Sequence, residues 1–282
     1  MGHDEIREVT ARLAEAGIPS PEHDAVALLA HAWGRSVAEV RHAQVMGRTP
    51  PADVRDRLTS LVDARATRVP LQHLTGVTGF RGIELAVGPG VFIPRPETEM
   101  LVDLALADVA HGGLVIDLCT GSGAIPLAIK QERPDLTVLA VELDPMAHAW
   151  AERNRDQLGL EVEIRCGAAQ SAFPDLVGLV DVVVSNPPYI PVGMVPIDPE
   201  VRDHDPEVAL FGGSDDGLRI PVEVAARAAE LLRPEGRLVM EHADVQGDSL
   251  PRALTRQGHW ADIQDHCDLT ERPRALTAVR AP

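Results

Sequence analysis

The sequence predicts an α/β protein: an open, doubly wound, mostly parallel sheet preceded by a small helical domain. Three observations predict it. Short apolar runs alternate with helix-period segments from about residue 97 onward, a glycine-rich turn follows the first of those runs, and the first 70 or so residues carry helix signals without strand runs. A chain of 282 residues is long enough for about two domains at ~150 residues each. Its 45% hydrophobic and 24% charged content is globular, which excludes disordered and fibrous classes.

The elements follow in order. We expect helices over Asp4–Ala16, from Ser20-Pro21-Glu22 to Ala32, and from Pro51 to about Thr67; Ser20 reads as an N-cap, Pro21 as the first helical residue and Glu22 as a first-turn acid. Between residues 74 and 96 glycines 76, 79, 82, 88 and 90 punctuate short apolar runs, which predicts a hairpin linker ending at Ile93-Pro94-Arg95-Pro96. Leu114–Leu118 is then a first buried strand, followed by a helix to Glu132, a strand Leu136–Val141, a helix Pro145–Leu158 and a strand Val162–Cys166. Val180–Ser185 is a fourth strand, Leu218–Leu232 a helix and Arg237–Glu241 a fifth strand. One more helix and a closing strand pair, Ile263–Cys267 and Ala275–Arg280, complete the chain. The boundaries expected are therefore 1-73, 74-96 and 97-282.

Charge and composition narrow the function. With 43 acidic against 26 basic residues the formal charge is −17, so an extended nucleic-acid backbone would be met by repulsion. No run approaches ~18 apolar residues, and Met1–Thr10 carries acids, His and Arg where a secretory leader needs an apolar stretch. The expected location is the cytoplasm, away from membranes. Cys119, Cys166 and Cys267 form no C-x-x-C pair, which fits a reducing compartment and predicts neither disulfide nor metal site. His73, His204 and His242 have no metal-ligand spacing and read as structural or surface histidines, as Trp33 and Trp150 read as helix packing.

Two loops could carry chemistry. Asp117-Leu118-Cys119-Thr120-Gly121-Ser122-Gly123 follows the first strand and opens a helix, where glycines permit a tight turn and free N–H groups face a polar ligand. Pro126 stands where a dinucleotide fingerprint needs its third glycine, which weakens a pyrophosphate reading. Glu142, about 20 residues on at the end of the second strand, is placed to accept hydrogen bonds from ribose hydroxyls, so loop and acid together point to an adenosine-containing cofactor. Asp144 fits the blander role of a helix-start acid.

The second loop is Ser185-Asn186-Pro187-Pro188-Tyr189, at the carboxyl end of the fourth strand, where open α/β sheets bind ligands. Successive prolines keep the backbone extended and free of N–H groups, so carbonyls can point into the crevice. Asn186 adds a side-chain acceptor and Tyr189 a flat ring. Such a set can bind a planar –NH2 through two acceptors, and it holds no nucleophile paired with a base. Asn186 is one of two asparagines in the chain and Tyr189 its sole tyrosine.

These residues resemble a known family. The 117–123 loop is similar to that of Rossmann-like S-adenosylmethionine-dependent methyltransferases, and Asn186-Pro187-Pro188-Tyr189 to the motif shared by amide and exocyclic-amine N-methyltransferases. Pro70–Gly76, Ile93-Pro94-Arg95-Pro96-Glu97-Thr98-Glu99, Gly212–Leu218, Glu241 with Gln246-Gly247, and Asp268-Leu269 before Arg274 together resemble the release factor glutamine methyltransferase (PrmC/HemK) family, from about residue 20 to the C-terminus. The resemblance implies a seven-stranded class I methyltransferase sheet with its C-terminal strand antiparallel, over residues 97-282, and a substrate-docking helical domain over 1-73. It implies S-adenosyl-L-methionine as cofactor, S-adenosyl-L-homocysteine as product, class I peptide chain release factors as partners and no direct DNA binding. The reaction implied is methylation of the side-chain amide nitrogen, N5, of the glutamine in their Gly-Gly-Gln motif.

Carried over residue by residue, the resemblance implies cofactor contacts from Cys119, Thr120, Gly121, Ser122, Gly123, Glu142, Asn186, Arg95 and Glu99, with Arg95 and Glu99 closing over the site. It implies that Asn186, Pro187, Pro188 and Tyr189 bind the substrate, and that Asn186, Pro187 and Tyr189 perform the transfer. The sequence departs from the family at three places. Cys119 stands where glycine is usual, Glu142 where aspartate is usual, and Cys166–Gln170 lacks the usual acid for the adenine amine, leaving backbone atoms of Ala168 or Ala169 to serve. N6-adenine methylation of nucleic acid remains open on the second loop alone, as does a non-catalytic cofactor-binding protein on the departures.

Overall fold

Residues 2–282 are described by a computed structural model. They fall into two units, one taking the chain up to Val77 together with Pro196–His204, the other Thr78–Val195 and Asp205–Pro282. Met1, the first residue of the expected helical domain, lies outside the described residues.

The first unit is helical: α1 (Gly2–Glu15), α2 (Pro21–Trp33), α3 (Val37–Val45), α4 (Ala52–Ala66) and the short α5 (Leu71–Thr75). Leu13, Leu28, Leu29, Val40, Leu58 and Val62 pack as its core. Ser20 stands at the N-cap of α2, but its side chain makes no capping bond. The sequence reading omits α3 and α5. The signal for α3 was present, since Ser36 and Glu39 close a capping box in which the Ser36 hydroxyl accepts from the Glu39 N–H and the Glu39 carboxylate from the Ser36 N–H.

The strands β1 (Val77–Phe80) and β2 (Ile83–Ala86) form a hairpin across Arg81-Gly82, both at positive φ, 47° and 78°. That is the turn whose twist suits a two-residue connection. The hairpin occupies less of the 74–96 segment than expected; residues 87–95 are irregular up to a 3-10 turn at Pro96–Thr98, followed by α6 (Glu99–Leu106).

Alternation then runs β3 (Leu114–Leu118), α7 (Ala124–Glu132), β4 (Thr137–Glu142), α8 (Pro145–Leu158), β5 (Val162–Cys166) and β6 (Val180–Ser185). After β6 come the short α9 (Pro199–His204) and α10 (Glu207–Leu210), both absent from the sequence reading. The chain continues as α11 (Arg219–Leu231), β7 (Leu232–Glu241), α12 (Ser249–Gln257), β8 (Trp260–Cys267) and β9 (Pro273–Arg280). The seven strands lie in the order β5-β4-β3-β6-β7-β9-β8, with β9 antiparallel to both neighbours.

Strand periodicity explains the two-faced core. Val115, Val138, Val182 and Val184 face α6 and α7 residues such as Leu101 and Leu127, while Ile116, Leu139, Val183 and Leu238 face Val224, Ala228 and Leu254 of α11 and α12. Each fully buried aliphatic side chain contributes about 1.5–3 kcal/mol. The strand order reverses between β3 and β6, whose carboxyl ends therefore flank a crevice.

Candidate functional site

The two loops singled out in the sequence leave adjacent strands side by side. Leu118 pairs in register with Ser185, and the Ser185 hydroxyl donates to the Leu118 carbonyl at 2.5 Å. The glycine loop after β3 and the Asn-Pro-Pro-Tyr loop after β6 thus share one wall.

On the β3 side the loop is tied to β4. The Thr120 N–H donates to the Val141 carbonyl at 3.0 Å and the Gly121 N–H to Glu142 Oε2 at 2.7 Å. The other Glu142 oxygen accepts from the Asp144 N–H at 2.9 Å, and Asp144 caps α8 by accepting from the Met146 and Ala147 N–H groups. Burial raises the Glu142 carboxyl above its usual range, opposed by those backbone donors. Gly121 and Gly123 hold φ of 57° and 83°; a Cβ on Gly123 would press on Leu127 at 3.0 Å, whereas one on Gly121 would meet open space. Cys119 adopts φ 69° without being glycine, and burial pushes its thiol up, so it is no nucleophile at neutral pH. Thr120, Ser122 and Gly123 are buried, Cys119 and Gly121 half-buried.

Asp117, the first residue of this motif, sits beneath the loop and was assigned no contact from sequence. It is fully buried, accepts from the Thr120 hydroxyl at 2.5 Å, and keeps Oδ1 without a partner. Burial, with the Glu142 charge nearby, pushes it up to about 8. An orphaned buried acceptor beneath a half-buried glycine turn fits a cationic, multi-polar ligand. Ala168 and Ala169 lie farther along the sheet, after β5. Ala168 is half-buried and opens a 3-10 turn, while Ala169 packs into the core and offers only backbone.

On the β6 side the loop is clamped from behind. The Ile190 N–H donates to the Leu210 carbonyl, and the Gly212 and Val192 N–H groups are bonded in turn to Ile190 and Ser214 carbonyls, all within 2.9 Å. Gln246 Nε2 donates to both the Tyr189 and Asp216 carbonyls, at 3.0 and 2.9 Å. Packing leaves no room for side chains: a Cβ on Gly217 would lie 2.1 Å from the Tyr189 carbonyl oxygen. Pro187 and Pro188 are buried, Asn186 and Tyr189 half-buried. The Asn186 amide lies against the Thr98 hydroxyl, Nδ2 to Oγ1 3.5 Å, and the Tyr189 hydroxyl donates to Glu241 at 3.2 Å.

Two expected residues are turned elsewhere. Arg95 pairs with Asp205 at 2.8 Å and stacks over Phe92, and Glu99 accepts from the Arg81 N–H of the hairpin at 3.1 Å. Neither makes a hydrogen bond to the 119–123 loop among the described residues; each is held by its partner outside that loop. Thr98 and Glu241 are the neighbours sequence reasoning missed as site residues. Both lay inside segments that carry the family resemblance, yet no spacing rule links positions 98, 186 and 241.

Residues 5–76 match the family described as the PrmC N-terminal domain, and residues 83–194 the methyltransferase small domain. A release factor glutamine methyltransferase of Streptomyces coelicolor is 49% identical over 282 residues, covering 98% of this chain and 97% of that one. Another, of Mycolicibacterium smegmatis, is 44% identical over 276 residues, covering 98% and 96%. Among solved structures, a methyltransferase of Pyrococcus furiosus superposes with a TM-score of 0.53 at 17% identity, covering 71% of this chain and 90% of that one, a likeness of fold.

Proposed function

The chain belongs to the release factor glutamine methyltransferase family, and from that premise we propose the glutamine in the Gly-Gly-Gln motif of class I peptide chain release factors as its acceptor, at N5. The enzyme depends on S-adenosyl-L-methionine. What supports the finer reading is the common wall of the two loops, which sets acceptors for an amide –NH2 beside a cradle for the methyl donor.

The residues fit that donor. Asp117, whose orphaned oxygen lacks a cationic partner, would hold its ammonium group with the 119–123 loop, and Glu142 its ribose hydroxyls. When bound, the group supplies an electrophilic sulfonium methyl. We place the adenine along Ala168–Ala169, whose backbone replaces the missing acid.

An amide nitrogen is a poor nucleophile because its lone pair is delocalised into the carbonyl. Asn186 Oδ1 and the Pro187 carbonyl would accept its two N–H bonds, aim the nitrogen and favour the positive charge that develops on it. Consecutive prolines leave no competing N–H at 187 and 188. Tyr189 would cover the amide plane. No base has to act first, since the nitrogen becomes acidic only after the methyl has arrived. The acidic surface argues for a protein rather than nucleic-acid acceptor. No described helix is long and apolar enough to cross a membrane. We place the enzyme in the cytoplasm, where its free cysteines stay reduced.

The test is transfer of labelled methyl from S-adenosyl-L-methionine to a class I release factor, beside the same factor with its Gly-Gly-Gln glutamine changed to alanine. Label on the first alone is expected; label on both, or on neither while cofactor binds, overturns the acceptor. Asn186→Ala is expected to lower kcat by roughly 10²-fold or more, the scale of one preorganised polar group, with cofactor affinity little changed. Full turnover in that variant would remove Asn186 from the reaction.

A further inference from the structure

Asn186 can present either end of its amide to the crevice, and only one end is useful. If it accepts from the acceptor glutamine, Oδ1 must face outward; with Nδ2 outward, donor would meet donor. The choice is made by hydrogen bonding on the inner side. There Nδ2 lies 3.5 Å from Thr98 Oγ1, and Thr98 is buried beside Asn186 and within reach of Glu241 at the end of β7.

A threonine hydroxyl has one proton to donate and lone pairs to accept with. Glu241, 1% exposed, competes for that proton. One of its oxygens accepts from the Tyr189 hydroxyl; the other, Oε2, has no partner at full hydrogen-bond geometry, and Thr98 lies close enough to lower the carboxyl's pKa as a donor. A buried carboxylate oxygen left without a donor is strongly disfavoured, which draws the Thr98 proton toward Glu241. Thr98 then offers Asn186 lone pairs alone, and only Nδ2 can use them.

We propose that Glu241 is a positioning residue which, through Thr98, fixes the outward face of the Asn186 amide as an acceptor and, through the Tyr189 hydroxyl, fixes that ring. The inference rests on the proposed role of Asn186. One carboxyl thereby orients both polar residues of the loop, across three segments far apart in sequence.

Protonation of Glu241 reverses the chain of donors. A protonated carboxyl donates to Thr98, whose own proton is released toward Asn186 and turns Oδ1 inward. Tyr189, Glu97 and Arg274 are the titratable or charged groups that face it. Burial pushes the carboxyl up to about 7, against Thr98, Arg274 and Tyr189, which favour the ionised form. Turnover should therefore fall on the acid side of about pH 7. Gln at this position, an obligatory donor and acceptor, imitates the protonated state at every pH.

The experiment uses the full chain, a release factor acceptor and S-adenosyl-L-methionine, and compares kcat, cofactor KM and pH profile for wild type, E241Q, T98V, T98S and N186A. E241Q is expected to lose ~10- to 100-fold in kcat, the usual cost of losing a partner that orients a reactive group, with cofactor KM unchanged and no acid limb near pH 7. T98V should lose a similar factor, and T98S should regain most of it because the hydroxyl returns. Wild-type kcat in E241Q, or an unaltered acid limb, overturns the proposal; if E241Q does not fold, equal rates for T98V and T98S do so. An active N186A would defeat the reading of Asn186 itself, whereas an inactive N186A beside a fully active E241Q defeats this inference alone.

Discussion

Cys119 shows how a residue other than glycine can hold a backbone conformation that favours glycine. Its φ of 69° lies in the left-handed region, where a Cβ costs roughly 1–2 kcal/mol and glycine nothing. The position therefore favours glycine on backbone grounds, and cysteine meets the requirement as a small side chain packed against the core. Cys119→Gly is expected to stay within about 1 kcal/mol of wild type in denaturant unfolding, and Cys119→Val, branched at Cβ, to cost ~1–3 kcal/mol. Equal stabilities for the two would discard the conformational explanation. Glu142 was legible at this scale because a strand end some 20 residues past a glycine loop has a fixed place in such folds, and its carboxylate accepts from the Gly121 N–H of that loop. Thr98 was not legible, since nothing local marks a threonine as the neighbour of an asparagine 88 residues away.

At the scale of elements, the Asn-Pro-Pro-Tyr loop owes its shape to the segment Gly212–Leu218 behind it. Gly217 holds φ 73°, and any Cβ there would collide with the Tyr189 carbonyl, which Gln246 also binds. Gly217→Ala is accordingly expected to displace the loop and lower kcat by ~10-fold or more, while calorimetric cofactor binding, proposed above to rest on the β3 and β4 ends, stays close to wild type. A variant with normal turnover would mean the loop is held elsewhere. Strands and long helices were readable from periodicity, because each buries one face. The short α3, α5, α9 and α10 were not, since four to nine residues carry too little periodic signal and α3 was marked only by its capping box.

For the molecule as a whole, the segment Pro196–His204 leaves the chain just after the Asn-Pro-Pro-Tyr loop and joins the helical unit. Glu200 accepts from Arg65 Nη1 at 2.8 Å and Arg68 Nη2 at 2.6 Å, and Arg65 Nε donates to the buried Asp24 at 2.7 Å. Burial alone would raise the Glu200 carboxyl, but hydrogen bonds with Asp198, Arg65 and Arg68 hold it down at about 2. Because its folded pKa is below the ordinary 4.5, its stabilisation is full above pH 4.5 and is lost as pH falls toward 2. Glu200→Ala should cost about 1–3 kcal/mol, leaving Arg65 with Asp24 as its acidic partner, and raise amide exchange in α2 and α4 at neutral pH. Exchange unchanged from wild type would show that the segment does not secure this unit.

The sequence by itself determined the α/β architecture, the placement of a glycine loop and a proline-stiffened loop at strand ends, and the family, because these depend on short-range patterns: periodicity, turn residues and contiguous motifs. Only the tertiary structure decided that Arg95 and Glu99 face Asp205 and the hairpin, that Asp117 keeps an orphaned oxygen under the loop, and that Glu241 and Thr98 stand behind Asn186. Those relations come from packing strands and loops distant in the chain, where burial selects which donors and acceptors meet, and no local spacing encodes that choice.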